Sequence, residues 1–494
     1  MASETFDRPA WQVLAIPGAG RRFVVASGTT FEDRDPTTQK VVAEVQTSTL
    51  EDVEEAVART HEAFRSASWR NDGATRARIL FRFAERLRAS VDPLAELLTR
   101  EQGKTIGEAR SEIGGSAEMV EYYAGLARSI EGRALALGDD AHGVIIREPL
   151  GVVAVITPWN WPLTLLMRSL APALAAGNTC VVKPASLTPA ITVEALALLA
   201  GDPDLPDGVV TCVLGAGSVV GDALVGHPKV HMIAFTGESG TGINVMRRAA
   251  ADLRKVALEL GGKSPNLVFA DANLDKALDG AMNAIFTTTG QICTAGSRLL
   301  VESSIYPEFV ARLVERAGAL RLGDPLDSRT TLAPLVSPAQ QRVVREYVEI
   351  GRSEGKLLTD DTVPSGPITS VGCFSAPVVI ADLPLDSRVV REEIFGPVLT
   401  VHPFADEAEA IEIAENTEFG LAAGLWTSDV NRAWRVGRAL RSGTVWINTY
   451  HHFYPEMEVG GFRKSGLGRQ QGLAGLFEFT ETKHLNFDSK ATLW

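Results

Sequence analysis

Cysteine is scarce in this chain, with four in 494 residues. Cys180, Cys212, Cys293 and Cys373 lie far apart, so none forms the close pairs that bind zinc or make a redox dithiol. No metal is expected, and the four read as reduced thiols. Positive charge is also short: 48 Lys and Arg stand against 61 Asp and Glu, a net charge of -13. So acidic a chain lacks an overall field for nucleic acid or an anionic membrane, and neither is expected as a partner. Long apolar runs are missing too. No stretch reaches the roughly 18 residues of a membrane span, and the opening Met1-Ala-Ser-Glu-Thr-Phe-Asp-Arg8 has no hydrophobic signal core, which points to the cytoplasm. Low-complexity tracts and internal repeats are absent as well.

What is present is length, enough for two or more folded domains with room to hide a reaction from water. Residues 50–130 carry apolar side chains at helical spacing, among them Leu80, Phe81, Phe83, Ala84, Leu87, Leu97 and Leu98, and read as scaffold helices. From Gly151 the pattern becomes short Val- and Ile-rich runs at 151–156, 180–182, 209–214, 231–235 and 256–260, separated by helix-length segments. Strands alternating with helices imply right-handed crossovers and a parallel sheet covered on both faces. A second set of runs, at 266–269, 298–301, 378–380, 398–401 and 444–447, implies a second such domain, with the boundary near Gly261-Gly262. Two strand-like stretches, 129–146 and the segment after Phe477, belong to neither core and suit pairing with another subunit.

Several short segments carry residues suited to chemistry, each with an ordinary alternative. Cys293 sits in Gly290-Gln-Ile-Cys-Thr-Ala-Gly-Ser-Arg298, where small neighbours let a ligand approach; a lone cysteine is more often a small buried hydrophobe. Glu259 ends an apolar strand before Gly261, and partial burial there would raise it into the range of a general base; strand-end carboxylates are more often solvated or salt-bridged. Asn160, in Thr157-Pro-Trp-Asn-Trp-Pro162, is either an amide donor or the stabiliser of a Pro-bounded turn. Gly237 and Gly242, in Phe235-Thr-Gly-Glu-Ser-Gly-Thr-Gly242, stand between strand and helix, where N–H groups and the helix dipole meet a pyrophosphate. Lys183 ends another parallel strand on the same edge.

Taken together and in this order, these segments resemble the aldehyde dehydrogenase superfamily from about residue 30 to the end. Gly323-Asp-Pro-Leu326, Glu392-Glu-Ile-Phe-Gly-Pro397, Asn416-Thr-Glu-Phe-Gly-Leu421 and Gly460-Gly-Phe-Arg-Lys-Ser-Gly-Leu-Gly468 add to the match. The resemblance implies an α/β fold of two doubly wound parallel-sheet domains plus a small β oligomerisation domain. It places the dinucleotide-binding domain at 1–126 and 150–261, the catalytic domain at 262–464, and the oligomerisation arm at 127–149 and 477–494. It implies a homodimer or homotetramer that oxidises a small-molecule aldehyde with NAD or NADP. Cys293 is then the nucleophile, Glu259 the general base and Asn160 the oxyanion donor. Trp159, Lys183, Ser186, Gly237, Glu238, Gly242, Gly261, Glu393 and Phe395 surround the cofactor, while Trp161, Arg168, Tyr450 and Phe453 line the aldehyde tunnel. The chemistry fits these types: a thiolate turns the carbonyl into a tetrahedral adduct that can release hydride, and a base activates water against the resulting thioester.

Certain positions depart from the family pattern. Ser186 stands where NAD-preferring members have a glutamate, which removes a charge that would repel a 2′-phosphate, while Glu238 replaces a commoner serine. Arg168 stands where many relatives have a tryptophan. It suits either a clamp for a substrate carboxylate, as in succinate-semialdehyde dehydrogenases, or an internal ion pair, and it counts against betaine aldehyde, whose trimethylammonium it would repel. The Thr-Gly-Glu-Ser turn resembles that of semialdehyde dehydrogenases of aromatic breakdown. Gln470 replaces a glutamate common after Gly468-Arg469. Glu259 favours hydrolysis to the free acid over transfer to coenzyme A, the alternative; a binding or structural protein on the same fold is a further one.

Overall fold

The computed structural model describes Gln12, residues 14–16 and residues 22–488; the beginning and end of the chain, with the last residues of the expected arm, lie outside them. Four helices occupy the stretch read as scaffold: Leu50–Arg65, Gly73–Ala89, Val91–Gln102 and Ile106–Leu126, with a short one at Ala67–Asn71. Two begin on capping boxes, Thr49 with Asp52 and Thr105 with Glu108, each closing two backbone donors that the helix itself cannot satisfy. Leu80, Phe83, Leu87 and Leu98 are buried as their spacing implies, whereas Phe81 points outward and is 41% exposed.

The Val- and Ile-rich runs form the first sheet, of six strands. In spatial order these are Gly466–Leu467, Lys255–Glu259, Met232–Thr236, Val152–Ile156, Thr179–Lys183 and Val210–Cys212, all parallel except the first. The alternation of strand side chains explains why both faces are covered. Val153 and Val155 enter the core shared with the helices Gly73–Ala89, Ile106–Leu126 and Pro162–Ala176, while Val152 and Ala154 enter a core on the other face with Val57, Leu224 and Val245. Strand Val152–Ile156 has later strands on both sides, so the chain order reverses there. At such a switch point the loops leaving the carboxyl ends diverge and open a crevice.

After Glu259 the chain crosses to a second, seven-stranded sheet, entering it at Pro265. Its order is Lys356–Leu357, Val378–Ala381, Val398–Phe404, Arg298–Glu302, Pro265–Val268, Ala422–Trp426 and Thr444–Ile447, parallel but for the first pair. The two stretches outside both cores pair with each other in this structure. Arg133–Ala136, Ala141–Pro149 and Thr480–Asp488 form a three-stranded antiparallel sheet with nine residue pairs between the last two. A further small sheet joins Leu14–Ile16, Val41–Gln46 and Thr30–Arg34 near the chain start. No helix among the described residues is long and apolar enough to cross a membrane.

The two large sheets are tied by the return of the chain from Val459 to Gln470. Gly443, just before the last strand of the second sheet, meets this return so closely that an added Cβ would lie 1.6 Å from the Gly460 carbonyl oxygen. Gly443→Ala therefore forces the two segments apart, and we expect it to destabilise the protein by roughly 3 kcal/mol, read as a Tm lowered by several degrees in thermal unfolding; an unchanged Tm would contradict this joint.

Candidate active site

Between the two sheets lies a cavity of about 890 Å³, lined by Cys293, Glu259, Asn160, Trp161, Arg168 and Phe453 among others. These residues come from distant parts of the chain. Asn160 and Trp161 lie on the loop leaving the switch-point strand, Glu259 ends the strand two places away from it in the same sheet, and Cys293 follows the helix Leu274–Phe286. The last strand of the first sheet aims Glu259 inward: its backbone pairs with Gly466 on one side and Thr236 on the other, leaving its side chain at the sheet's carboxyl edge.

Electrostatics in this space are governed by the loss of water. Burial pushes the Glu259 carboxyl up to about 7, opposed by the positive charges of Arg168 and Arg469. A carboxyl at that value exchanges protons near neutrality. Burial also pushes the Cys293 thiol up to about 12; Arg168 favours its thiolate, while Glu393 and Glu259 oppose it. Burial thus favours the neutral form of this thiol. The other three cysteines are buried free thiols away from this cavity.

Asn160 is 3% exposed and its amide donates to the Gln291 carbonyl at 3.0 Å, two residues before the nucleophile. The loop it touches is strained: Thr288 and Thr289 both adopt left-handed backbone angles, with φ of 49° and 56°. Such conformations cost on the order of 1–3 kcal/mol each in non-glycine residues and persist only where surrounding contacts impose them. Here the Thr288 N–H donates to the Glu108 carboxylate and the Thr289 hydroxyl to the Ala333 carbonyl. The Gln291 side chain donates to the Thr288 carbonyl and accepts from the Val336 N–H.

Arg168 is 8% exposed and faces the cavity. Its guanidinium carbon lies 5.9 Å from the centre of the Phe453 ring, its Nε has no hydrogen-bond partner, and among the described residues no carboxylate forms an ion pair with it. Of the two expectations for this residue, the internal ion pair is therefore not formed. Trp161 lines the cavity with its ring 3.9 Å from the Lys104 ammonium. Tyr450 corrects a sequence expectation. It does not line the tunnel but is 2% exposed in the core behind the nucleophile, its hydroxyl donating to the Thr294 carbonyl at 2.9 Å. An aromatic run gives no sign of which ring faces inward, and the left-handed His451 after it, at φ 58°, turns the chain. His451 itself lines the cavity with both ring nitrogens buried and unpartnered, and burial lowers it to about 4, so it is neutral. Sequence reasoning passed over it, although its segment was conspicuous.

The expected cofactor residues lie at or after the carboxyl ends of the first sheet's strands, or in the segment from Glu393 to Phe395. Glu393 accepts from the Gly262 N–H at 3.1 Å and is pushed up to about 7 by burial. Gly261 lets it come close: an added Cβ would lie 2.1 Å from the Glu393 carboxylate. Phe395 packs edge-on against Trp159 at 5.2 Å, joining the two domains. Lys183 donates to the Pro184 carbonyl and is lowered to about 8 by burial, and Ser186 donates to the Gly215 carbonyl. Gly237 donates to the Glu259 carbonyl, and Gly242 packs on Leu260 in the helix Ser239–Ala250. Glu238 precedes that helix without capping it through its side chain; its exposed carboxylate accepts instead from Thr241. Gln470 is buried and donates to the Ser169 hydroxyl at 3.1 Å, which ties it to the helix bearing Arg168.

A family model described as the aldehyde dehydrogenase family matches residues 23–485. Betaine aldehyde dehydrogenase of Bacillus subtilis (strain 168) is 43% identical over 459 residues, 92% of this chain and 94% of that protein. The crystal structure of betaine aldehyde dehydrogenase from Staphylococcus aureus in complex with NAD+ matches with a TM-score of 0.91 at 36% identity, over 94% of this chain and 93% of that one. The chain belongs to the aldehyde dehydrogenase family, oxidoreductases that act on aldehydes with a nicotinamide cofactor.

Proposed function

We propose that this protein oxidises an aldehyde carrying a carboxylate to the free acid, with Cys293 as nucleophile. The observation that carries this reading is the unpaired Arg168 guanidinium in the same cavity as Cys293, Glu259 and Asn160. A buried cation without a counterion is costly, and a substrate carboxylate accepting two hydrogen bonds would offset that cost. NAD or NADP is the cofactor of this reading. The residues present suit it: the first-turn N–H groups of the helix Ser239–Ala250 lack a side-chain cap, and Glu393, Phe395 and Trp159 surround a site that Gly261 keeps open. When bound, the nicotinamide ring accepts hydride. Lys183 and Ser186 would hold the adenosine ribose, and with a serine rather than a carboxylate there, both NAD and NADP are accepted.

Attack by Cys293, whose thiol proton passes to the ionised Glu259 carboxylate and from there to solvent, forms a thiohemiacetal whose oxyanion Asn160 stabilises through its amide. Loss of hydride leaves a thioester on Cys293. Glu259, poised near neutrality, takes a proton from water, which then hydrolyses the thioester to the acid. Transfer to coenzyme A is the alternative fate, and product analysis with and without that thiol distinguishes them. Exposed Leu135, Leu137 and Phe487 on the three-stranded arm support a homodimer or homotetramer, readable by light scattering. Free cysteines throughout support a cytoplasmic setting.

A second reading, oxidation of betaine aldehyde, is favoured by the names of the relatives, by Trp161 and Phe453 in the wall, and by the exposed Glu118 on the cavity lining. Against it stands Arg168: two like charges 4 Å apart repel by about 4 kcal/mol at a near-surface effective dielectric. The two readings make opposite forecasts for Arg168→Trp. If a carboxylate is held, kcat/KM for semialdehydes falls roughly 100-fold, the usual scale for a lost charged hydrogen bond, while that for betaine aldehyde rises. A wild-type preference for betaine aldehyde would overturn the first reading.

The role of Glu259 predicts a pH profile. Turnover should rise through about pH 7 as its carboxyl ionises, and Glu259→Gln should abolish that limb while slowing thioester hydrolysis more than hydride transfer in rapid-quench kinetics. Stability should move the other way. Because the folded value lies above the ordinary carboxylate value, the group's favourable contribution is full below the latter and is lost as pH rises through about 7. Glu259→Gln should therefore be the more stable protein at pH 8, by about 3 kcal/mol at most, and equal to wild type near pH 4. Cys293→Ala should fold normally and show no dehydrogenase activity; activity near wild type would remove the nucleophile from this scheme.

A further inference from the structure

The oxyanion donor and the nucleophile stand on loops from different domains, yet both loops are fastened at one place behind the cavity wall. That place is the corner between the helices Val91–Gln102 and Ile106–Leu126. Lys104 in the corner is fully buried. Its ammonium donates to Glu112 at 2.5 Å and to the backbone carbonyl of Asn160 at 2.7 Å. The other oxygen of Glu112 accepts from the N–H groups of Leu163 and Thr164, at 2.8 and 3.2 Å. Those donors open the helix Pro162–Ala176, whose N-cap residue is Trp161 and offers no side-chain cap. Glu112 thus acts as a cap supplied from another helix.

One turn earlier on the same helix, Glu108 accepts from the N–H of the strained Thr288. From Thr288 the chain of contacts closes on itself: its carbonyl accepts from Gln291, and the carbonyl of Gln291 accepts from the Asn160 amide. Lys104 grips the backbone of the donor, Glu108 grips the backbone of the loop leading to Cys293, and Asn160 spans the gap between them.

We propose that Lys104, Glu108 and Glu112 are positioning residues that set the Asn160 amide relative to Cys293, so that the helix corner controls oxyanion stabilisation. None is the group that donates to the oxyanion. Their effect passes through Asn160 and the 288–291 turn, and it rests on the reading above in which Asn160 stabilises the oxyanion. Displacing a catalytic group by about 1 Å costs on the order of 100-fold in rate, so a loosened corner has a measurable cost even in a folded enzyme.

The test is a double-mutant cycle between Lys104→Met and Asn160→Ala in the full-length protein, reading kcat and KM for aldehyde and for NAD+, with melting temperature recorded for each variant. Alone, Lys104→Met should lower kcat roughly 10- to 100-fold, with KM for NAD+ within about twofold of wild type. In the Asn160→Ala background it should lower kcat by less than about threefold further, because the group it positions is gone. An undiminished loss in that background would overturn the proposal, as would a Lys104→Met enzyme with lower Tm and full kcat per folded molecule. Should Lys104→Met not fold, Glu112→Gln and Glu108→Gln carry the same cycle, since each keeps a neutral acceptor for its backbone partners; both should lower kcat in wild type and have little effect beside Asn160→Ala. If Asn160→Ala itself leaves kcat unchanged, it is the underlying reading of Asn160 that fails, and the corner proposal falls with it.

Discussion

Everything at the centre of this molecule depends on how little chain separates the two sheets. Glu259 ends one and Pro265 begins the other, so Gly261 and Gly262 must pass through a gap too narrow for side chains. An added Cβ on Gly262 would lie 2.7 Å from the carbonyl oxygen of Cys293, and one on Gly261 still closer to Glu393. This crossing brings the backbone of Glu259 and Cys293 close to Glu393 before any side chain chooses its rotamer. The reacting side chains sit where the two large cores meet, which is why Glu259 and Asn160 are buried although they line a cavity.

Burial in turn decides the charges. Glu259, Glu393 and Cys293 are all driven toward their neutral forms by burial, and the thiol also feels both carboxylates. Arg168 is the counterweight, favouring both the ionised base and the ionised thiol while itself lacking a fixed partner. A substrate that brings a carboxylate against this arginine also alters the field at the two reacting groups. A change at position 168 therefore acts on Glu259 and Cys293 together.

Much of this was legible beforehand, for reasons that lie in particular residues. Runs such as Val152–Ile156 are apolar on both faces because helices cover both, and that is a sequence signal of a buried parallel strand. Cys293, Glu259 and Asn160 were readable only jointly, since each alone has a commoner explanation. The strand Ala422–Trp426 escaped notice because Ala and Gly pack in its interior where Val or Ile would be expected. Tyr450 was misplaced because an aromatic side chain serves a core and a tunnel equally well. The corner at Lys104 was hidden more thoroughly: charged residues within a helical stretch read as solvated faces, and nothing in their spacing reveals that Lys104 and Glu112 have 0% side-chain exposure.

The closing segment of the chain has a consequence for how the protein is made. Gly466–Leu467 supplies the edge strand beside Glu259, Asn178 donates to the carbonyl of Phe479, and Thr480–Asp488 completes the arm begun by Ala141–Pro149. Synthesis delivers these residues after Cys293 and after every other strand of the two large sheets. Domains generally fold as units during synthesis, the N-terminal one first, but here the first sheet lacks its edge strand, and Glu259 a backbone neighbour, until residues 466–467 have been made. The cavity around Cys293 is therefore closed only once Val459, Gly460 and Gln471, far later in the chain, have joined its lining.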